Sequence, residues 1–240
     1  MIKHIMFDLD GTLLAIGLED LIKTYMALLA KKMAGLGYDP ELTIKAVWEG
    51  TYAMLKNDGN RTNREVFWET FSTFDLGDTA TIEQQVDSFY TNEFRGVRGV
   101  LKEERNLREL IDGLKEKGYT LSLATSPIFP LVGVKERLSW VGLTSEDFSV
   151  VTSYENCHFA KPELGYYKEV LNAAGFTAGE SLMVGNDIFD DMPAGELGIS
   201  TYLVTDVLEN ETEDYQSRYT HGTFAQLREY LNNLPKIKDE

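Results

Sequence analysis

A single cysteine, Cys157, in 240 residues excludes an intramolecular disulfide and any zinc centre built on cysteines. It is expected as a free thiol in or near the core. The three histidines, His4, His158 and His221, are too scattered to form a metal site of their own. No stretch approaches 18 uninterrupted apolar residues, so no membrane-crossing helix is expected. The short apolar run before Asp8 is no signal-peptide h-region, which makes the cytoplasm the expected compartment. Positive charge is also scarce. With 23 Lys and Arg against 39 Asp and Glu the net charge is −16, a field that repels nucleic-acid backbones and anionic membranes. Neither is an expected partner. The same field repels small anions, so a phosphate ester would need its charge met locally by a metal and a few cationic groups. Long Pro, Ser or Gln tracts are missing too, and 43% hydrophobic residues suffice for one or two packed cores.

What is present is an alternation of strand-like and helix-like segments with one interruption. Residues 2–9 form a compact apolar run that reads as a buried parallel strand. From Leu18 onward, Leu21, Ile22, Tyr25 and Leu28/Leu29 fall at helical spacing until Gly35-Leu36-Gly37. Further helical patterns cover about 40–56, 63–73 and 80–93 with no strand signal between them. Strand and helix then alternate: helix 103–117, strand 120–124, helix 131–141, strand 149–152, helix 163–174, strand 181–184, helix 190–197, strand 200–204 and a closing helix at 222–233, with a charged tail after Pro235. This pattern predicts an α/β doubly wound parallel sheet, with an inserted helical unit at 15–95 between core segments 1–14 and 96–240. Trp48, Tyr52, Trp68 and Tyr90 are expected in the core of that unit rather than as a substrate platform.

Asp8 and Asp10 close the first strand, at the end where open α/β sheets bind ligands. There one carboxylate and a neighbouring carbonyl can converge on a cation, although the same residues would also serve in a surface turn or helix cap. Thr125-Ser126 closes the strand beginning at Thr120. A hydroxyl and loop amides at that point can hold a phosphoryl oxygen. Lys161 precedes Pro162 at the start of a helix, and Asn186, Asp187 and Asp191 follow the strand that ends at Val184.

Phe7-Asp8-Leu9-Asp10-Gly11-Thr12-Leu13 resembles the first motif of the haloacid dehalogenase (HAD) superfamily. The second Asp matches its phosphatase branch rather than its dehalogenase branch. Thr125, Ala160-Lys161-Pro162 and Gly185-Asn186-Asp187-Ile188-Phe189-Asp190-Asp191 resemble the later motifs, in order. The stretch between the first two motifs is similar to the helical C1 cap of phosphoglycolate phosphatase and β-phosphoglucomutase-like members. The resemblance implies a Rossmann-like core and a cap. It implies Asp8 as nucleophile, Asp10 as general acid/base, Thr125, Ser126 and Lys161 as the binders of the substrate phosphate, and Mg²⁺ as cofactor. It further implies Asp8, the Asp10 main-chain carbonyl and Asp187 as metal ligands, with Asp191 either a further ligand or the residue that orients the shell or Lys161. Asn186 stands where the motif usually has its first acid. Asp187 with Asp191 keeps a four-residue spacing and Asn186 with Asp191 a five-residue one, and a hard cation prefers the anionic Asp187. The expected activity is a Mg²⁺-dependent phosphatase acting on a small phosphorylated metabolite through an aspartyl-phosphate. A sugar-phosphate mutase and a catalytically silent binding protein remain as alternatives. A monomer or weak homodimer is expected.

Overall fold

The structure, a computed structural model, describes residues 1–237. Its six-stranded sheet runs in the order β3-β2-β1-β4-β5-β6, every adjacent pair parallel. The strands are β1 (His4–Phe7), β2 (Thr120–Leu123), β3 (Val150–Val151), β4 (Ser181–Gly185), β5 (Ser200–Val204) and β6 (His221–Gly222). Alternation along the central strands divides their side chains between two cores. Ile5, Phe7, Leu121, Leu123, Leu182 and Val184 enter one, while Met6, Ala124 and Met183 enter the other with Tyr166, Tyr167 and Val170. Helices α5 (Arg108–Glu116), α6 (Leu131–Ser139) and α9 (Phe224–Asn232) cover the first face, and α7 (Leu164–Ala174) the second. A short α8 (Tyr215–Arg218) lies before β6. The doubly wound α/β reading of the sequence therefore stands.

Between β1 and β2 come α1 (Leu18–Gly35), α2 (Pro40–Leu55), α3 (Asn63–Phe71) and α4 (Thr79–Thr91). Local chemistry sets their starts: Asp39 caps α2 with Pro40 in its first turn, Thr62 and Glu65 form a capping box on α3, and Asp78 caps α4. Asn63, fully buried, ties the helices to the strand side by donating to the Pro127 and Phe159 carbonyls (3.1 and 3.2 Å). One apolar cluster runs from the sheet through Phe129, Phe94 and Trp140 into Tyr25 and Phe89 on these helices.

Five details differ from the sequence reading. The helix expected at 103–117 begins at Arg108, because Lys102 N–H is bonded to the Ala15 carbonyl and Arg105 turns inward to the Thr12 carbonyl. The helix expected at 190–197 is a tighter 3-10 turn over Met192–Leu197, with Pro193 in its first turn. Another 3-10 segment, Glu93–Val100, spans the return from the helices, and the two-residue β6 was not foreseen. Finally, Trp68 and Tyr90 are buried as expected, but Trp48 and Tyr52 are 46% and 55% exposed. The charged tail expected after Pro235 lies partly outside the described residues. No helix among those described is long and apolar enough to cross a membrane.

Candidate active site

The site lies at the C-terminal end of β1 and its neighbours. The Asp8 N–H donates to the Val184 carbonyl (2.9 Å), which fixes the nucleophile candidate between β1 and β4. Directly beyond it the chain must turn within one residue's width of Asn186. Gly11 does this at φ +85, where a Cβ would overlap the Asn186 side chain. Gly185 plays the matching part on β4, since a Cβ there would overlap the Asp191 carboxylate.

Lys161 is 3% exposed and joins two acids: its Nζ donates to Asp8 Oδ1 at 2.8 Å and to Asp191 Oδ1 at 2.6 Å. Burial alone would lower its pKa, but the charges of Asp191 and Asp8 carry it well above the ordinary lysine value, so it stays an ammonium. Asp191 Oδ2 accepts from the Asp187 N–H (2.9 Å). The Asp187 carboxylate accepts from the Phe189 and Asp190 N–H groups (2.7 and 3.1 Å) and from Asn210 Nδ2 (2.9 Å to each oxygen). Asn186 is engaged elsewhere. Its Oδ1 accepts from the Thr12 hydroxyl (2.9 Å) and its Nδ2 donates to the Val207 carbonyl (2.7 Å). On the other side Thr125, 2% exposed, has its carbonyl pinned by the Thr152 and Tyr166 hydroxyls (2.7 and 2.9 Å).

The structure thus brings Asp8, Asp10, Thr125, Ser126, Lys161, Asn186, Asp187 and Asp191 around one cavity. Asp190 and Glu209 line it as well, and neither was singled out in the sequence. A third unforeseen residue is Arg137 of α6, fully buried, whose guanidinium is ion-paired with Asp10 Oδ2 and lies 4.3 Å over the Phe129 ring. A signal for it existed, because Arg137 stands on the α6 stripe of Gly133, Val134 and Leu138, where a charge needs a partner. Asp10 Oδ1 and Arg137 Nη2 have no hydrogen-bond partner.

Six carboxylates line this cavity and Lys161 is the one Lys or Arg among its lining residues. The excess registers in the acids. Burial pushes Asp10 up to about 6, with Asp8 adding to the rise and Arg137 and Lys161 opposing it. Burial likewise pushes Asp190 up to about 6, helped by Asp187 and Asp8. Hard oxygen donors in surplus are what a divalent cation requires, so the residues fit magnesium. No three acidic side chains are gathered around one point among the described residues; magnesium commonly takes one or two carboxylates and fills its shell with waters. Cys157, buried and pushed up to about 12 by that burial, stays a thiol and has no place in the chemistry.

The family model described as haloacid dehalogenase-like hydrolase matches residues 5–204. The chain is 27% identical over 204 residues to a phosphoglycolate phosphatase of Agrobacterium fabrum, covering 83% of this chain and 78% of that one. It is 26% identical over 240 residues to a glyceraldehyde 3-phosphate phosphatase of Methanocaldococcus jannaschii, covering 98% and 100%. Among solved structures, a putative HAD-hydrolase of Bacillus subtilis, described as bound to magnesium, superposes with a TM-score of 0.57 at 18% identity over 97% of this chain and 99% of that one. With five-sixths of its length under one family model, the chain belongs to the haloacid dehalogenase-like hydrolase family.

Proposed function

We propose that the chain is a magnesium-dependent phosphatase that hydrolyses a small phosphorylated metabolite through an aspartyl-phosphate on Asp8. Its curated relatives are phosphatases by name. The observation that carries the finer reading is Lys161 held between Asp8 and Asp191 in a cavity otherwise rich in acid. A carboxylate that attacks a phosphate monoester brings two anions together, and the site must supply positive charge first. Asp8, the Asp10 main-chain carbonyl and Asp187 would hold the magnesium ion, whose charge offsets that of nucleophile and phosphate when bound. Lys161 neutralises the remainder, and Thr125 and Ser126 hold phosphoryl oxygens.

Asp8 Oδ1 is taken by Lys161, while Oδ2 accepts no hydrogen bond from the described residues and is the attacking atom. As it bonds to phosphorus, the bond from phosphorus to the ester oxygen breaks and Asp10 gives that oxygen a proton. Water then attacks the aspartyl-phosphate, Asp10 takes the water's proton, phosphate leaves and Asp8 is again a carboxylate. Arg137 positions Asp10 by holding Oδ2, which leaves Oδ1 to carry the proton. A carboxyl pushed up to about 6 is well matched to both halves near neutral pH. Residues 15–95 act in this reading as a cap, supported by Leu18 of α1, which lines the acidic cavity.

The test is Asp10→Asn with acetyl phosphate, whose leaving group needs no proton. The first step should survive and the second stall, so one phosphoryl group accumulates and maps to Asp8 by intact mass and peptide analysis at low pH. Wild-type turnover should vanish in chelator. Parental turnover of acetyl phosphate by Asp10→Asn with no adduct on Asp8, or undiminished wild-type turnover without magnesium, would overturn the mechanism.

A further inference from the structure

In the loop of residues 125–129, after β2, Thr125, Ser126, Ile128 and Phe129 all line the acidic cavity. Pro127, in the middle of that loop, is held from the other side. Its carbonyl accepts from Asn63 Nδ2 at 3.1 Å, and the same nitrogen, which has two hydrogens to give, donates at 3.2 Å to the carbonyl of Phe159, two residues before Lys161. One amide from the inserted helices therefore bridges the loop of Thr125 and Ser126 and the segment that leads into Lys161. That amide is itself fixed in place. Asn63 is fully buried, and its Oδ1 accepts from Asn57 Nδ2 (2.9 Å). It opens α3, where the first N–H groups of a helix lack partners within it, and these turn to the same segment. The Asn63 N–H donates to the Cys157 carbonyl (2.8 Å) and the Arg64 N–H to that of Tyr154 (2.7 Å). The Phe159 ring is lodged between Gly59 of the α2–α3 loop and Gly165 of α7, so close that a Cβ on either would overlap it. Truncating Asn63 would strip the Pro127 and Phe159 carbonyls of this donor and let loop and segment move independently.

We propose, on the footing of the phosphatase reading above, that Asn63 is a positioning residue for the phosphate site. Its amide sets the separation between the Thr125–Ser126 loop and the Lys161 segment, so the seat for the phosphoryl oxygens is completed from the inserted helices and not by the sheet alone. Asn63 touches no substrate atom. It acts through the Pro127 and Phe159 carbonyls, and a misplacement of about 1 Å in groups that hold a transition state costs on the order of 10²-fold in rate. The inserted helices then have two tasks, covering the cavity and holding its two phosphate-binding segments in register.

The experiment measures acetyl phosphate turnover, inhibition by inorganic phosphate and Mg²⁺ binding in Asn63→Ala, beside Asp78→Ala, which removes a cap whose hydrogen bonds stay within α4. In Asn63→Ala kcat should fall at least tenfold and the inhibition constant for phosphate should rise at least fivefold. Its Mg²⁺ affinity by calorimetry should stay within twofold of wild type, since the Asn63 side chain bonds to none of the acids. Asp78→Ala should lower the melting temperature and leave all three quantities unchanged. Kinetics and phosphate inhibition within twofold of wild type in folded Asn63→Ala overturn the proposal, as does a loss that Asp78→Ala shares. If Asn63→Ala does not fold, two measurements decide in its place. Asn63→Ser keeps one donor hydrogen and can serve only one carbonyl, so it should show the same pattern at smaller size. In the wild type, coupling between sites is reciprocal, so inorganic phosphate with Mg²⁺, compared with Mg²⁺ alone, should slow hydrogen exchange of the Asn63 and Arg64 amides at least threefold more than that of the α4 amides. Equal slowing overturns the proposal. A wild type that leaves acetyl phosphate intact removes the phosphatase reading, and the exchange measurement then decides by itself whether Asn63 is tied to a phosphate site.

Discussion

The two ends of strand β1, four residues long, bury polar groups in opposite ways. At its start His4 is fully buried, bonded to Ser181 Oγ at 3.0 Å and Ser122 Oγ at 2.7 Å and stacked on Phe176 at 4.9 Å. Both ring nitrogens are satisfied by neutral partners. Just past its end Asp8 and Asp10 face a cavity with six carboxylates and one lysine, and one Asp10 oxygen has no partner. Polar burial that serves architecture closes its own hydrogen bonds, because an unpaired buried group costs stability and gives nothing back. Burial that serves chemistry leaves an unmet demand for a ligand to satisfy.

The contrast breaks if substitutions at the two ends fail alike. Asp8→Asn should abolish turnover, a loss beyond about 10⁴-fold, while changing folding stability by no more than about 1 kcal/mol, since it removes one of several crowded negative charges. His4→Ala should do the reverse, lowering the melting temperature while kcat stays near wild type. Thermal melts beside acetyl phosphate kinetics decide it, and a large stability loss in Asp8→Asn would place Asp8 with the architecture. Lys161→Met comes next, with a fall in kcat/KM of about 10³-fold, or about 4 kcal/mol of transition-state stabilisation. Unlike Asp8→Asn it should also lower the melting temperature, because Asp8 and Asp191 lose the cation they share. A Lys161→Met protein with normal kinetics would remove Lys161 from the phosphate site.

The acidic end was far more legible in the sequence than its surroundings. Asp8, Asp10 and Asp187 to Asp191 follow strand ends, and strand ends are announced by local signals: an apolar run, then Gly11 or Gly185, then polar residues. Alternation of strand and helix was enough to place those ends side by side. Arg137 was not found, although its charge breaks an apolar stripe, because its partner Asp10 is 127 residues away and only the packing of α6 behind β1 joins them. Trp48 and Tyr52 were assigned inward on residue type, yet which side of α2 faces the other helices depends on how that helix is rotated against its neighbours. The burial of Lys161 depends on two acids distant in sequence, Asp8 and Asp191, which nothing next to the lysine announces.

The His4 end makes a prediction about pH. Burial holds its pKa down to about 4, against an ordinary value of 6.5, so the folded protein keeps the ring neutral while the unfolded chain takes up a proton. Between those values the unfolded state binds more protons than the folded one, and stability falls as pH falls. The contribution is fully present above pH 6.5 and is lost progressively down to about 4, some 3 kcal/mol in all. His4→Gln has no such group to titrate, so wild-type minus variant stability, from denaturant curves at steps through this window, should shrink by about that amount. A difference that stays constant with pH would mean that the ring is not held neutral.

The smallest effect concerns Asn186, which stands at the acidic end but is built like His4, with both side-chain atoms engaged by neutral partners, Thr12 and Val207. Asp187, one residue on, is also well bonded but is a carboxylate, and a hard divalent cation gains more from a carboxylate oxygen than from an amide oxygen already accepting a hydroxyl. Asp187→Ala should therefore weaken Mg²⁺ binding about tenfold, and Asn186→Ala by less. The costs to folding should run the other way. Asn186→Ala strips the fully buried Thr12 hydroxyl and the Val207 carbonyl of their partner and should cost about 1–3 kcal/mol. Magnesium titration by calorimetry beside thermal melts of the two variants separates the roles. If Asn186→Ala loses the more affinity, the amide is the ligand, the five-residue spacing to Asp191 is the operative one, and Asn186 belongs with Asp8 rather than with His4.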